Sequence, residues 1–179
     1  MTQTMCETRI ATLSEKDAVS HLLALATLLR DCVHDGASIG FVLPFSIDEA
    51  ETYWADKVLP RLGSGKLTLL TARQDDRLVG SVLLDYDTPP NQPHRAEVRK
   101  LLVHPDVRRQ GIAKALMSAL ERHAIALGRS LLTLDTRSGD KAEPLYASLG
   151  YYIAGIIPGY CRDPFKNCFD PTTIMYKAL

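Results

Sequence analysis

Seven short apolar runs along the chain predict β-strands. The runs are rich in Leu, Val, Thr and Ile, and turn-forming residues bound each of them. They lie at 8–13, 67–72, 78–86, 96–104, 130–136, 151–157 and 172–178. Their lengths are typical of strands in a globular protein, so we expect all seven to belong to one central sheet.

Four of the intervening segments have the periodicity of helices. They lie at 14–33, 46–59, 111–127 and 144–149. Ser14 and Ser46 are typical N-caps for the first two. The second helix is expected to end before Pro60, because the residue ahead of a proline avoids the helical conformation. Gly128 is the expected C-cap of the third helix.

The order of these elements predicts an α/β fold of the α+β kind. A strand is followed by two helices, three strands, a helix, a strand, a helix and two strands. This order predicts a mixed sheet of about seven strands with about four helices. The loop 87–94, dense in turn residues, is too short to be a domain linker, and no repeat is visible. We therefore expect residues 1–179 to form a single domain.

Composition narrows the class of protein. Lys and Arg number 21, as do Asp and Glu, and a net charge of zero argues against a nucleic-acid partner. The N-terminus has no signal-peptide pattern, and no apolar run is long enough to span a bilayer, so we expect a soluble cytoplasmic protein without a membrane partner. Four scattered cysteines are expected to be free thiols, and neither they nor the five histidines have metal-ligand spacing, so no metal is expected.

The predicted helix at 111–127 begins against the usual rules. A helix N-terminus carries a partial positive charge and free N–H groups. Here no Ser, Thr, Asp or Asn caps it, and Arg108 and Arg109 precede it. An external anion would make this arrangement favourable, since Gly111 and the small Ala113 let a phosphate approach the backbone. The sequence therefore predicts a phosphate or pyrophosphate site, the alternative being two solvated arginines in a connecting loop.

Two motifs resemble those of a known family. Neither a P-loop nor a Gly-x-Gly-x-x-Gly string occurs in the chain. The string Arg108-x-x-Gly111-x-Ala113, after an apolar strand, resembles instead the pyrophosphate loop of the GNAT superfamily of acetyl-CoA-dependent N-acetyltransferases. About 35 residues downstream, the run LYASLGY at 145–151 resembles the second signature of that family. The resemblance covers roughly residues 95–157.

The resemblance implies a GNAT fold and acetyl-CoA as co-substrate. It implies that the backbone of Leu101, Leu102 and Val103 hydrogen-bonds the pantetheine arm in the manner of an added strand. It also implies that the pyrophosphate is held by the charges of Arg108 and Arg109 together with backbone N–H groups. Those N–H groups belong to Arg109, Gln110, Gly111, Ile112, Ala113 and Lys114. One departure concerns the loop at 138–140, where many members have an asparagine and this chain has Ser-Gly-Asp.

Acetyl transfer to an amine needs a base and an acid. An alkyl amine with a pKa of about 10 is mostly protonated at neutral pH, so a base, acting directly or through a water, must accept its proton. Glu97 and Asp135, near the ends of two predicted strands, are the candidates, and which of them is the base is left open. By the resemblance, Tyr146 lies near the thioester sulfur and protonates the departing thiolate. The alternatives are solvated strand-end acids and a tyrosine packed in the core. Covalent cysteine catalysis also stays open.

One acidic segment is a candidate for binding the amine that accepts the acetyl group. Six acids and no Lys or Arg lie between positions 31 and 56, and we expect Asp31 and Asp35 to attract a cationic amine. The alternative is that half of these acids are ordinary charges of first helical turns. The resemblance, and not the acidic segment, implies that the acceptor is a small-molecule amine, such as a toxin or antibiotic of the β-lactam type. A protein N-terminus or lysine, or a non-catalytic CoA-binding sensor, are the alternatives. The sequence leaves the oligomeric state open.

Overall fold

A computed structural model describes residues 7–179. The strands are β1 (Thr8–Leu13), β2 (Leu67–Gln74), β3 (Arg77–Asp85), β4 (Arg95–Val103), β5 (Leu131–Arg137), β6 (Tyr152–Arg162) and β7 (Phe169–Ala178). The helices are α1 (Glu15–Ser20), α2 (Leu22–His34), α3 (Ile47–Tyr53), α4 (Leu59–Gly63), α5 (Ile112–Ala126) and α6 (Ala142–Ser148). A π-helical turn (Trp54–Val58) joins α3 to α4, and a 3₁₀ turn (Pro105–Val107) follows β4.

The seven strands form one mixed sheet, which confirms the predicted fold class. Their order is β1-β2-β3-β4-β5-β7-β6. The pair β4 and β5 is parallel and every other neighbouring pair is antiparallel. The parallel pair is the consequence of the crossover through α5, because parallel neighbours need a long connection.

The first two predicted helices are each divided in two. The first is interrupted at His21, whose ring bonds the carbonyl of Asp17 at 2.7 Å and ends α1. The expectation that the second helix ends before Pro60 is wrong. The chain passes through the π-helical turn into α4, and Pro60 stands in the first turn of α4, where a missing N–H breaks no hydrogen bond.

The sheet separates two apolar layers. One layer is built from α1 to α4 around the fully buried Trp54, and Leu102 of β4 belongs to it. The other is built from α5 and α6, with Leu116 and Leu120 of α5 packed against the strands. Within residues 7–179 no helix is long and apolar enough to cross a membrane. The two layers leave the ends of β4 and β5 as the region from which a site can open.

The two central strands diverge after a short paired stretch. Their ladder joins Arg95, Ala96 and Glu97 of β4 to residues 131–133 of β5 and then stops. The remaining residues 98–103 of β4 pair with no described strand on that side. On the other side, β4 carries one extra residue relative to β3, and Lys100 has a φ of +52° at this bulge. The result is a V-shaped gap in the middle of the sheet, beside a bulge of the kind found near functional sites.

Candidate functional site

A cavity of about 870 Å³ lies at the divergence of β4 and β5. Its walls are the end of β4, the start of α5, the start of α6, the loop after α2 and the loop between β6 and β7. The volume is within the range of cavities that take a small molecule or cofactor. The five walls come from segments that are distant in sequence and that the open sheet brings together.

The start of α5 forms the anion-binding end of this cavity. Gly111 is its N-cap, with a φ of +80°, and no side chain caps the helix. A Cβ at Gly111 would meet nothing within 4 Å, so the approach to the first N–H groups is open. Arg109 and Lys114 line the cavity and form no ion pair with the described residues. Free N–H groups and two uncompensated cations suit a phosphate at this end.

The cavity brings together most of the residues predicted for the cofactor. Those that line it are Leu101, Leu102, Val103, Arg108, Arg109, Gly111, Ile112, Ala113 and Lys114. Gln110 does not line the cavity, and its side-chain oxygen accepts a hydrogen bond from the Gln74 amide at 3.0 Å. In the divergent 138–140 loop, Asp140 lines the same cavity, where its carboxylate lies 3.2 Å from Arg137.

Arg108 links the cofactor end to the loop after α2. Its guanidinium forms an ion pair with Asp35, and its Nε donates a hydrogen bond to the Val103 carbonyl at 3.1 Å. The charge of Arg108 is therefore compensated within the protein. One carbonyl of the strand predicted to bind pantetheine is also engaged by a side chain of the same molecule.

The two acids predicted for the acceptor both contact cations. Asp35 lines the cavity, whereas Asp31 does not. The Asp31 carboxylate lies 2.7 Å from Arg30 and 3.3 Å from His104. Burial alone would raise the pKa of Asp31, but hydrogen bonds from Arg30 and His104 lower it below its usual value. The attraction of a cationic amine by these acids stays a prediction, and each already has a cationic partner.

Glu97 and Asp135 lie on neighbouring strands at the point of divergence. Glu97 pairs with Thr133 in the parallel ladder, and Asp135 follows two residues later on β5. Because side chains alternate along a strand, both carboxylates project from the same face of the sheet. Glu97 is partly exposed, and Asp135 is exposed and accepts a hydrogen bond from the Thr172 hydroxyl at 3.3 Å. The structure therefore places the two candidate bases on neighbouring strands, and neither of them lines the cavity.

Tyr146 belongs to α6 and lies in the apolar layer of α5 and α6, on the other face of the sheet from the two candidate bases. It is 6% exposed, and its ring contacts Tyr151 edge-on with 5.8 Å between centroids. Burial raises the pKa of Tyr146, and the nearby Asp135 and Asp140 raise it further. Its hydroxyl thus stays protonated at neutral pH. The adjacent Leu145 lines the cavity, whereas Tyr146 itself lies behind the wall.

Lys100 is a residue of this region that the sequence reasoning missed. Its ammonium donates a hydrogen bond to the Ile39 carbonyl at 2.6 Å and lies 5.4 Å and 5.6 Å from the ring centroids of Phe41 and Tyr53. Burial, with a smaller effect of Arg99, lowers the pKa of Lys100 to about 8. Lys100 fastens the loop after α2 to the bulge of β4. The signal in the sequence was the pair Arg99-Lys100, two consecutive charged residues within a strand, where consecutive side chains project to opposite faces.

Arg137 was also missed, and it joins three of the loops around the cavity. Its guanidinium donates to the Gly36 carbonyl at 3.1 Å, and it lies 3.2 Å from Asp140, 3.4 Å from Asp163 and 3.5 Å from Asp170. Together with Lys100 and Arg108, it holds the loop after α2 in place. Within residues 7–179, no cluster of three or more His, Cys, Asp or Glu side chains is arranged to hold a metal ion.

Cys32 is the described cysteine that lines the cavity. It is 1% exposed, and its sulfur lies 3.6 Å from the Val103 carbonyl oxygen. Burial raises the pKa of Cys32 to about 11, with Arg108 opposing the shift. Cys161 and Cys168 are free and do not line the cavity, and Cys6 lies outside the described residues.

Comparisons with known proteins agree with this geometry. An acetyltransferase of Pectobacterium atrosepticum is 40% identical over 83 residues, which are 46% of this chain and 55% of the relative. An acetyltransferase of Yersinia pestis is 39% identical over 83 residues. The chain thus spans about half the length of the curated relatives it matches.

Solved structures share the fold over nearly the whole chain. The ribosomal-protein-alanine N-acetyltransferase of Brucella melitensis has a TM-score of 0.77 at 20% identity and covers 96% of this chain and 99% of its own. The yncA protein of Salmonella typhimurium was solved with its cofactor acetyl-CoA and has a TM-score of 0.76 at 18% identity. The match covers 96% of this chain and 94% of the yncA chain. At these identities the likeness shows the fold alone. The family model of the acetyltransferase (GNAT) family matches residues 25–151, which are more than half of the chain. The chain therefore belongs to the acetyltransferase (GNAT) family.

Proposed function

We propose that this chain transfers an acetyl group from acetyl-CoA to the amino group of a small molecule. One observation carries the proposal: the gap between β4 and β5 leads directly to the uncapped start of α5, where Arg109 and Lys114 have no anionic partner among the described residues. Such a passage suits a ligand with a narrow arm and a diphosphate. Acetyl-CoA is a cytoplasmic metabolite, so the proposal places the protein in the cytoplasm.

The residues around the cavity fit acetyl-CoA. Leu101 offers backbone groups on the open side of β4, whereas those of Leu102 face β3 although its side of the strand lines the cavity, and the first N–H groups of α5 would hold the diphosphate with Arg109 and Lys114. Val103 offers its N–H, since its carbonyl already accepts from Arg108. Acetyl-CoA supplies the acetyl group in an activated form, as a thioester. Backbone N–H groups on the open side of β4 would stabilise negative charge on the carbonyl oxygen as the amine attacks.

Glu97 or Asp135 accepts the proton of the incoming ammonium. Both carboxylates project from the face of the sheet that carries α1 to α4, beside the loop after α2. An amine that enters along this loop reaches the gap from the side opposite to α5. The amine and acetyl-CoA would then approach the gap from opposite faces of the sheet. Such an approach allows the amine to attack the thioester directly.

Tyr146 supplies the proton to the departing thiolate. An ordinary phenol has a pKa roughly 1.5 units above that of a thiol, which corresponds to about 2 kcal/mol. Burial raises the pKa of Tyr146 further, which keeps the proton on the hydroxyl and makes its transfer to the thiolate more costly than this figure. The high pKa of Cys32 leaves its thiol protonated at neutral pH, which favours direct transfer over a cysteine-bound intermediate.

The fixed loops that line the cavity suit a small acceptor. The loops at 35–37 and 163–166 both line the cavity and are fixed by Arg137. The chain, with its run KLLVHPDVRRQGIAKALMSALERHA at 100–124 and its cysteine-containing tail, also resembles the tabtoxin-resistance acetyltransferase. A β-lactam toxin that carries a free amine is therefore the acceptor class we favour.

Thiol release tests the proposal. Purified protein is incubated with acetyl-CoA and a panel of free amines, amino acids, β-lactam dipeptides and peptides, and CoA binding is measured by calorimetry. We expect release with a small-molecule amine, and a loss of about 10²-fold or more in the variant of the true base. Glu97→Gln and Asp135→Asn distinguish the two candidates, and Asp48→Asn in the first turn of α3 is the matched control. Binding without release would indicate a sensor module, and no binding would remove the donor.

A further inference from the structure

Arg95 carries a charge that no carboxylate within residues 7–179 neutralises. It is the first residue of β4 and is partly exposed. Its Nε donates a hydrogen bond to the side-chain oxygen of Gln92 at 2.8 Å, and its Nη1 donates one to the Thr133 hydroxyl at 3.1 Å. Both acceptors are neutral, and Arg95 forms no ion pair with a described residue. A guanidinium of this kind can still take a carboxylate, the anion that matches its planar shape.

The guanidinium of Arg95 lies beside Glu97. The two residues are two positions apart on β4, so their side chains project from the same face of the sheet, the one that carries α1 to α4. Thr133 is the register partner of Glu97, so the hydrogen bond to Thr133 draws the guanidinium towards Glu97. The two opposite charges nevertheless form no ion pair with each other, and Glu97 lies instead 4.0 Å from Arg99. Neighbouring opposite charges that stay unpaired suit a ligand that carries both charges itself.

This part of the sheet is open to solvent. Thr133 pairs with Tyr176 of β7, and Tyr176 pairs with Tyr152 of β6, so a row of side chains runs from Glu97 across four strands. The two tyrosines are 40% and 67% exposed, because the helices of this layer pack over the other half of the sheet, β1 to β4. Neither Arg95 nor Glu97 lines the acetyl-CoA cavity. A small acceptor can therefore reach both residues without displacing the donor.

We propose that Arg95 binds a carboxylate of the acceptor, and that the acceptor is a free amino acid or a compound with the same two charged groups. This inference rests on the proposed acetyl transfer and names the acceptor class for it. Arg95, Glu97 and Leu101 follow one another from the paired end of β4 to its open end. A carboxylate held at Arg95 leaves the amine at Glu97, directed towards the gap. A protein N-terminus or a lysine inside a peptide has no free carboxylate to offer.

Acetylation of matched acids and amides tests the proposal. The panel consists of free amino acids, each paired with its carboxamide, which keeps the amine and removes the negative charge. We expect the wild type to prefer the acids. Arg95→Gln should lower the ratio of kcat/KM for acid and amide about tenfold or more, through KM and not through kcat. The different amine pKa values of acid and amide cancel, because both proteins receive the same compounds.

Two further variants separate binding from folding. Arg95→Lys keeps the charge and should restore part of the preference for acids. Arg122 is exposed on α5, and the matched control Arg122→Gln should keep the full preference. If Arg95→Gln fails to fold, inhibition of the wild type gives the second measurement. Propanoate should compete with the amine substrate, whereas the uncharged propanamide should not, and equal inhibition by the two compounds would count against the carboxylate site.

An unchanged preference in Arg95→Gln would overturn the proposal. An equal loss for acids and amides would also overturn it, because it would indicate a purely structural role of Arg95 at the start of β4. Calorimetry on the protein saturated with CoA separates this inference from the proposed function. Amino acids that bind through Arg95 without thiol release would support the carboxylate site and contradict acetyl transfer. Thiol release with no preference for acids would do the reverse, and a panel without any binding or release would remove both.

Discussion

Replacing Lys100 by methionine should remove a specific pH dependence of stability. Burial lowers the pKa of Lys100 to about 8, from the usual lysine value of 10.5. Below about pH 8 both the folded and the unfolded chain carry the charge, and the fold bears the full cost of burying it. Between about pH 8 and 10.5 the unfolded chain binds more protons, so the free energy of unfolding rises with pH. Above this window the cost is gone.

The magnitude follows from the same two pKa values. Their difference corresponds to about 3 kcal/mol. The rings of Phe41 and Tyr53 favour the ammonium, and a cation–π contact of this kind contributes roughly 1 kcal/mol. We therefore expect a net rise of about 2 kcal/mol in the stability of the wild type relative to Lys100→Met, from neutral to alkaline pH.

Urea unfolding at a series of pH values measures this difference. Groups common to both proteins, such as the tyrosines, cancel when the Lys100→Met curve is subtracted from that of the wild type. Lys66→Met is the control, because Lys66 is 58% exposed and pairs with Asp87 at 3.0 Å. Its difference curve should be nearly flat over the same range. Parallel curves for the wild type and Lys100→Met would refute the reasoning.

Three further predictions concern the cavity and the fold. Gly111→Ala and Gly128→Ala should each lower the free energy of unfolding by about 1 kcal/mol, because both glycines have a positive φ and a Cβ would meet no neighbour. Calorimetry should show weaker CoA binding only for Gly111→Ala. Tyr146→Phe should lower kcat by about 10² or more, whereas Tyr151→Phe should leave it nearly unchanged. Asp85 is buried between two arginines at 2.7 and 3.0 Å, and these arginines are 33% and 40% exposed, so Asp85→Asn should lower the free energy of unfolding by about 2 kcal/mol in urea titrations.

Local patterns explain why the strands and the start of α5 could be predicted. Most strands contain a short run rich in Leu, Val, Ile and Thr, and the residues around Gly111 are neighbours in sequence, so no knowledge of distant contacts was needed. Lys100 and Arg137 were missed because their main-chain partners Ile39 and Gly36 are 61 and 101 positions away. The pairing of Arg108 with Asp35 was missed for the same reason.

The helices show the limit of local rules in another way. A proline predicts the end of a helix, but Pro60 stands where a new helical segment begins after the π-helical turn. The interruption at His21 depends on a contact with Arg73 of β2, at 2.7 Å, which helical periodicity does not contain. The contact of His21 with β2 is part of the packing against the sheet, which a single segment of sequence does not reveal.

The divergence of β4 and β5 places free peptide groups in the middle of a sheet instead of at its rim. Paired strands lie about 4.8 Å apart, and a full extra strand needs about twice that spacing. Because the ladder closes at Glu97, the space between the strands tapers towards that residue like a wedge. A polypeptide with side chains on both faces would be stopped near the wide mouth, whereas a slender unbranched chain can slide deeper. How deeply a ligand can enter the gap therefore depends on its thickness. The taper favours slender ligands over thick ones.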